Sequence, residues 1–161
     1  LTGINSPDYN AEAKGVFYGI RLQHDRVDMA LAVMEGVAYL LQRNLDALTK
    51  IGIRAAKVIT SGGGSKSDIW CQIKADLTGY PFAVPDQSEA ASLGCALIGA
   101  VSEGVVKDFQ QGVRQAVSVK KEFLPVNHAD YMDKLRLYQT LYDSLQPVFA
   151  LDAALNLNRR S

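Results

Sequence analysis

Lys57-Val58-Ile59-Thr60-Ser61-Gly62-Gly63-Gly64-Ser65-Lys66-Ser67-Asp68-Ile69-Trp70-Cys71-Gln72-Ile73-Lys74-Ala75-Asp76-Leu77-Thr78-Gly79 is the stretch that decides the fold. It opens on a short β-branched run, Lys57 to Thr60, which suits a pleated strand. The consecutive glycines Gly62, Gly63 and Gly64 end that strand, because they tolerate backbone angles that side chains forbid. Ile69, Trp70, Ile73 and Leu77 then recur at helical spacing, and Gly79 supplies the stop. Phe82 to Val84, between Pro81 and Pro85, is a second brief strand. Strand, glycine turn, helix and strand in that order predict an α/β fold.

Working outward, Asp25 offers a helix N-cap with Asp28 three residues on. Met29, Ala32, Val33, Val37, Leu40, Leu41 and Leu48 follow at three- and four-residue steps, predicting a helix to about Lys50 that Gly52 ends. Upstream, Gly3 to Ala13 reads as a loop, and Lys14 to Ile20 as a strand or a tight loop. Downstream, Glu89 to Glu103 predicts a helix rich in small residues, closed by Gly104. Asp108 to Asn127 reads as a connector with an extended stretch from Val119 to Leu124. Tyr131, Leu135, Tyr138, Leu141, Tyr142, Leu145 and Phe149 mark one face of a closing helix, with Pro147 limiting its regular end. Such a chain is helix-rich with a small sheet, holding fewer strands than the ~5 to 6 of a typical sheet.

The 161 residues, 48% of them hydrophobic, suffice for one sizeable core, and the length argues for one domain. Lysine plus arginine equals aspartate plus glutamate at 17 each, so no net field favours nucleic acid or an anionic membrane. The apolar runs Met29 to Leu41 and Ala90 to Val101 fall short of the ~20 residues of a spanning helix. Leu1 to Asn10 lacks the basic start and apolar run of a signal peptide, and the cytoplasm is the expected compartment. Cys71 and Cys95 read as buried, reduced thiols without metal-ligand spacing, so no metal site is expected. His24 and His128 fall in predicted loops and suit caps or solvated side chains.

The glycine turn is the strongest local chemical signal. Residues without Cβ let a ligand approach the backbone, and a following helix offers amide donors and a positive dipole end, which suits phosphate or a nucleotide. It is not a P-loop, since Lys66 follows Ser65 rather than glycine, and it is not G-x-G-x-x-G, since Ser67 holds the last glycine position. A plain tight turn remains an equal reading of these residues alone. Ala90, Ala91, Gly94 and Leu97 gather small groups on one helix, most simply for close packing. Asp76 and Glu89 read as a helix-surface charge and a helix-start cap.

Larger blocks carry more. Gly15-Val16-Phe17-Tyr18-Gly19-Ile20, then seven residues, then Asp28-Met29-Ala30-Leu31-Ala32-Val33-Met34-Glu35, resembles the second signature of the FGGY carbohydrate kinases. Ser61 to Asp76 resembles that family's adenine-side glycine motif and its helix, and Glu89 to Ala96 resembles a third family block. With the tyrosine-rich closing helix, the resemblance spans nearly the whole chain in the family's order.

That resemblance implies an actin-like (ribonuclease H-like) ATPase architecture, two domains around a cleft, with sugar held mostly by the first and ATP mostly by the second. Residues 1–161 are then expected to form part of the carboxyl-terminal, nucleotide-binding domain, without the amino-terminal sugar-binding domain. By the same resemblance Gly62, Gly63, Gly64 and Ser65 line the adenosine and inner-phosphate side, and Asp68 faces adenine as an acceptor for its exocyclic amine. No catalytic residue is expected here: the general-base aspartate lies upstream of Leu1, and Mg2+ acts with the nucleotide. The chain alone is therefore expected not to phosphorylate sugar. The spacing from Gly3 to Gly19 most resembles the xylulose-kinase branch, although Ile4-Asn5 stands where Glu-Arg is frequent there. Xylulose or a related ketopentose is the first expected substrate, and another pentose, a hexose, a polyol or a derived acid is the alternative. The rival readings are a non-kinase actin-like nucleotide-binding module and an oligomerisation module, whose small-residue and tyrosine-rich helices suit a homodimer.

Overall fold

The computed structural model describes residues 3–87 and 89–158. Its packing divides into two compact units, one formed by residues 1–54 with 127–161 and the other by residues 55–126, rather than the single unit that length suggests.

In the first unit, helix α1 spans Arg26–Lys50. Its start is fixed as the sequence indicates: the Asp25 carboxylate accepts from the Val27 and Asp28 amides at 2.7 and 3.2 Å, and Asp28 reciprocates on the Asp25 amide at 2.9 Å. Its end is equally local, because Gly52 takes φ +86°. That turn lets Gly52 N–H donate to Thr49 O and Ile53 N–H to Leu48 O, both at 3.0 Å. Lys14 to Ile20 is loop, not strand.

The closing helix, α5, runs His128–Asn158 straight through Pro147. Proline costs a helix interior ~3 kcal/mol, but the residues after it, Val148-Phe149-Ala150-Leu151-Asp152-Ala153-Ala154-Leu155, are mostly helix formers, and Phe149 is buried. His128 thus begins a helix rather than sitting in a loop. The tyrosine face predicted for this segment packs on α1: Tyr138 stacks on Tyr39 at 4.9 Å, and the Arg43 guanidinium lies 4.2 Å from the Tyr142 ring centroid. On α1 the buried residues are Ala38, Tyr39, Arg43 and Leu45. The apolar residues that set its period, Val33, Val37 and Leu48, are exposed in this chain.

The second unit is a three-stranded sheet in the order β1-β2-β3, with β1 at Val58–Ile59, β2 at Phe82–Pro85 and β3 at Val119–Phe123. Strands β1 and β2 are parallel, with Val58 opposite Phe82. A parallel pair needs a crossover, and helix α2, Asp68–Thr78, supplies it. Gly79, at φ +72°, stops that helix as expected. Strand β3 returns antiparallel, with Phe123 opposite Phe82 and a bulge at Val84/Pro85. Cys71, Ile73, Ala75, Leu77, Phe82 and Ala83 form the core.

Helix α3, Ala90–Ser102, matches the predicted span. Glu89 holds its N-cap position, but the side chain makes no cap hydrogen bond. None of the residues of α3 is buried among the described residues, so the thiol of Cys95 is exposed, against the expectation of burial. A further helix, α4, Phe109–Ala116, occupies ground that the sequence marks only as connector. Asp108 caps it by accepting from the Gln111 amide at 2.7 Å. Asp76 is the other correction: it is 5% exposed rather than on the surface. It accepts from the Val126 amide at 2.7 Å and from Gln72 Nε2 at 2.9 Å, which ties α2 to the chain leaving β3.

Candidate functional site at the glycine turn

The end of β1 leads directly into the glycines, and in open α/β sheets ligands gather beyond the carboxyl ends of strands. Gly62 adopts φ +75°, ψ −160°, a region essentially closed to residues with Cβ. Gly63–Ser65 form a single 3-10 turn. Ser65 locks it: the amide and the hydroxyl both donate to Gly62 O, at 3.2 and 2.8 Å. The Lys66 amide adds a bond to Gly63 O at 3.2 Å.

The turn has two unlike sides. A Cβ added at Gly62 or Gly63 would meet nothing within 4 Å. At Gly64 it would come within 3.3 Å of Lys74 Nζ and 3.6 Å of the Trp70 ring. The Gly64 carbonyl accepts from Lys74 Nζ at 3.1 Å, and Cys71 Sγ lies 3.8 Å from that oxygen and 3.7 Å from Ser65 O. The side of Gly64 facing α2 is therefore filled, whereas Gly62 and Gly63 offer open backbone to a ligand. The helix itself does not begin at the glycines. Ser67 caps it, accepting from the Trp70 amide at 3.3 Å, and the glycines precede that cap.

Asp68 is the first residue of α2 and is exposed. Both of its oxygens accept from Lys121 Nζ, at 2.8 and 2.6 Å, across to β3. Each oxygen retains acceptor capacity, so the pair presents an acceptor and a cation side by side. Burial pushes the Cys71 thiol up, a shift the Lys74 charge opposes, and burial lowers Lys74. The structure thus brings Gly62, Gly63, Gly64 and Ser65 into one turn and sets Asp68 just beyond it. Sequence reasoning missed Lys74, Trp70 and Lys121. Lys74 was legible: it stands one helical turn beyond Trp70 and between the apolar residues Ile73 and Ala75, where a charge calls for a partner. Lys121 was not, because only the register of β3 brings it to Asp68.

The solved structures that this chain resembles are sugar kinases of the actin-like ATPase fold, which accommodates a parallel strand pair joined by a glycine turn and a helix and closed by an antiparallel strand. The xylulose kinase of Lactobacillus acidophilus, solved with a ligand bound, superimposes with a TM-score of 0.82 over 90% of this chain and 30% of its own, at 24% identity. The chain belongs to the FGGY family of carbohydrate kinases, whose C-terminal domain model matches residues 1–103. Among curated relatives, the xylulose kinase of Staphylococcus epidermidis is 30% identical over 152 residues, 93% of this chain and 31% of that protein. The glycerol kinase of Myxococcus xanthus is 30% identical over 135 residues, 83% of this chain and 27% of that protein. The chain thus spans under a third of the length of these relatives.

Proposed function

We propose that this chain is the nucleotide-binding side of an ATP-dependent sugar kinase, in which the γ-phosphoryl group of ATP passes to a sugar hydroxyl. The observation that carries the reading is the open backbone of Gly62 and Gly63 at the end of a strand, in a chain of a carbohydrate-kinase family. Gly62, Gly63 and Gly64 let the nucleotide lie against the main chain, and Ser65 keeps the turn closed beneath it. Asp68 accepts from the exocyclic amine of adenine, with Lys121 holding its carboxylate in place. Phosphoryl transfer is governed by positioning and charge stabilisation, and positioning the nucleotide is the part these residues serve.

The general base that takes the proton of the sugar hydroxyl belongs, in this reading, to the sugar-binding domain of a longer protein, so residues 1–161 alone turn over no sugar. Mg2+ enters with the phosphates of ATP and supplies charge neutralisation; among the described residues no three His, Cys, Asp or Glu side chains group as a cation would need. Among the described residues no helix is long and apolar enough to cross a membrane, and we place the enzyme in the cytoplasm. The acceptor is xylulose or a related ketopentose, a choice that rests on the Gly3 to Gly19 spacing and on the names of relatives such as that of S. epidermidis. A second, subordinate role as a homodimer contact is favoured by α3, which buries none of its described residues. The test is a screen of ATP-dependent phosphorylation by the full-length protein across ketopentoses, aldopentoses, polyols, hexoses and aldonic acids. Selective turnover of xylulose supports the whole reading, turnover of glycerol or gluconate replaces the substrate, and no turnover of any acceptor refutes the kinase.

A further inference from the structure

Lys74 is a charged residue where an apolar one would pack. It is 7% exposed in the middle of α2, among Ile73, Ala75 and Leu77. Among the described residues it makes no ion pair: Asp68 is engaged by Lys121, and Asp76 by Gln72 and the Val126 amide. A buried ammonium without a carboxylate costs stability, and Met would fill the same stem without that cost. What Lys offers beyond Met lies at its tip. Nζ there reaches the Gly64 carbonyl at 3.1 Å and the Trp70 ring, 4.4 Å from its centroid.

The Gly64 carbonyl belongs to the peptide unit that also contains the Ser65 amide, and that amide donates to Gly62 O. One rigid peptide plane is thus held from opposite sides, by Lys74 at its oxygen and by Gly62 at its nitrogen. Glycine-rich backbone has the most conformational freedom to lose on binding, so a turn already held in place binds more tightly than a loose one. We propose that Lys74 is a positioning residue of the nucleotide site, its buried ammonium holding the Gly64 carbonyl inward so that Gly62 and Gly63 stay open to the ligand. This inference rests on the nucleotide reading given above.

The test compares the full-length wild-type protein with Lys74→Met, measuring ADP affinity by calorimetry, the KM for ATP, the KM for whichever sugar the wild type turns over, and the melting temperature. A hydrogen bond to a charged group is lost, and the expected result is roughly a tenfold or larger rise in ADP Kd and in the KM for ATP. The KM for the sugar stays unchanged and the melting temperature does not fall. Lys74→Gln, which keeps a donor without the charge, recovers part of the affinity; it also serves in place of the Met variant should that fail to fold. Wild-type ADP affinity in both variants overturns the inference and leaves the nucleotide reading standing. A lowered melting temperature with both substrates affected alike makes Lys74 merely structural and also overturns it. A wild-type protein that binds no ADP removes the nucleotide reading, and this inference with it.

Discussion

Replacing Gly62 and Gly63 separately by alanine isolates one backbone conformation. The two substitutions remove the same freedom from the unfolded chain, a stabilising contribution of about 0.4–1 kcal/mol each. Neither new methyl group meets an atom within 4 Å, so no steric term separates them. What remains is the strain at Gly62, whose φ of +75° with ψ of −160° costs a residue with Cβ of order 1–3 kcal/mol. Gly63 has no positive φ and carries no such cost. Gly62→Ala should therefore be less stable than Gly63→Ala by about 1–3 kcal/mol, with Gly63→Ala at or slightly above the wild type. Urea unfolding followed by tryptophan fluorescence measures this locally, because Trp70 is the only tryptophan of the chain and lies on α2 beside the turn. With a slope of roughly 2 kcal/mol per molar urea, the midpoints of the two variants separate by about 0.5–1.5 M. Coincident midpoints at equal slopes would refute the assigned conformation of Gly62.

Three further outcomes follow from buried groups. Asp76→Ala should destabilise the unit of residues 55–126 by roughly 2 kcal/mol, because it leaves the Val126 amide without its acceptor and removes one of the two that Gln72 Nε2 donates to, the other being Leu124 O, while Asp76→Asn, which keeps one oxygen, should cost less in the same urea assay. Cys95 should react quickly with an aromatic disulfide reagent in the native chain, whereas Cys71, fully buried and with its thiol pushed up by burial, should react only on unfolding; two fast thiols would contradict this. Lys74 has a folded value lowered from the ordinary 10.5 by burial, so between that lowered value and 10.5 the unfolded chain holds more protons. Stability of the wild type relative to Lys74→Met should accordingly rise with pH through that window, and a flat or falling difference would show that burial does not penalise the ammonium.

The features legible in the sequence are those with a local physical cause. Asp25 and Asp28 set the start of α1 through bonds to amides within three residues, and Gly52, Gly79 and Gly104 close helices because each takes a positive φ. The glycine turn and its flanking strand and helix were legible for the same reason. Helix α4 was not, since Gly112 and Val113 weaken its propensity and its one strong clue is the Asp108 cap followed by Gln111. Pro147 misled in the opposite sense, its cost being outweighed by the helix formers beyond it and by the burial of Phe149. Asp76 and Cys95 were misplaced because burial depends on what packs over a helix face, and periodicity identifies the face without its cover. Within the site, the turn residues were read from composition, but the Lys121 clamp on Asp68 depends on an antiparallel register that no local pattern encodes.

The most direct test of the glycine turn as the nucleotide site is ADP binding by the full-length protein and by its Gly63→Val variant, with urea stability measured alongside. The valine side chain points into open space, so the fold should be retained while its bulk occupies the place of the ligand. The account predicts that the wild type binds ADP and that the variant, at unchanged stability, loses at least tenfold in affinity. Equal binding by the two proteins would place the nucleotide elsewhere and contradict the account.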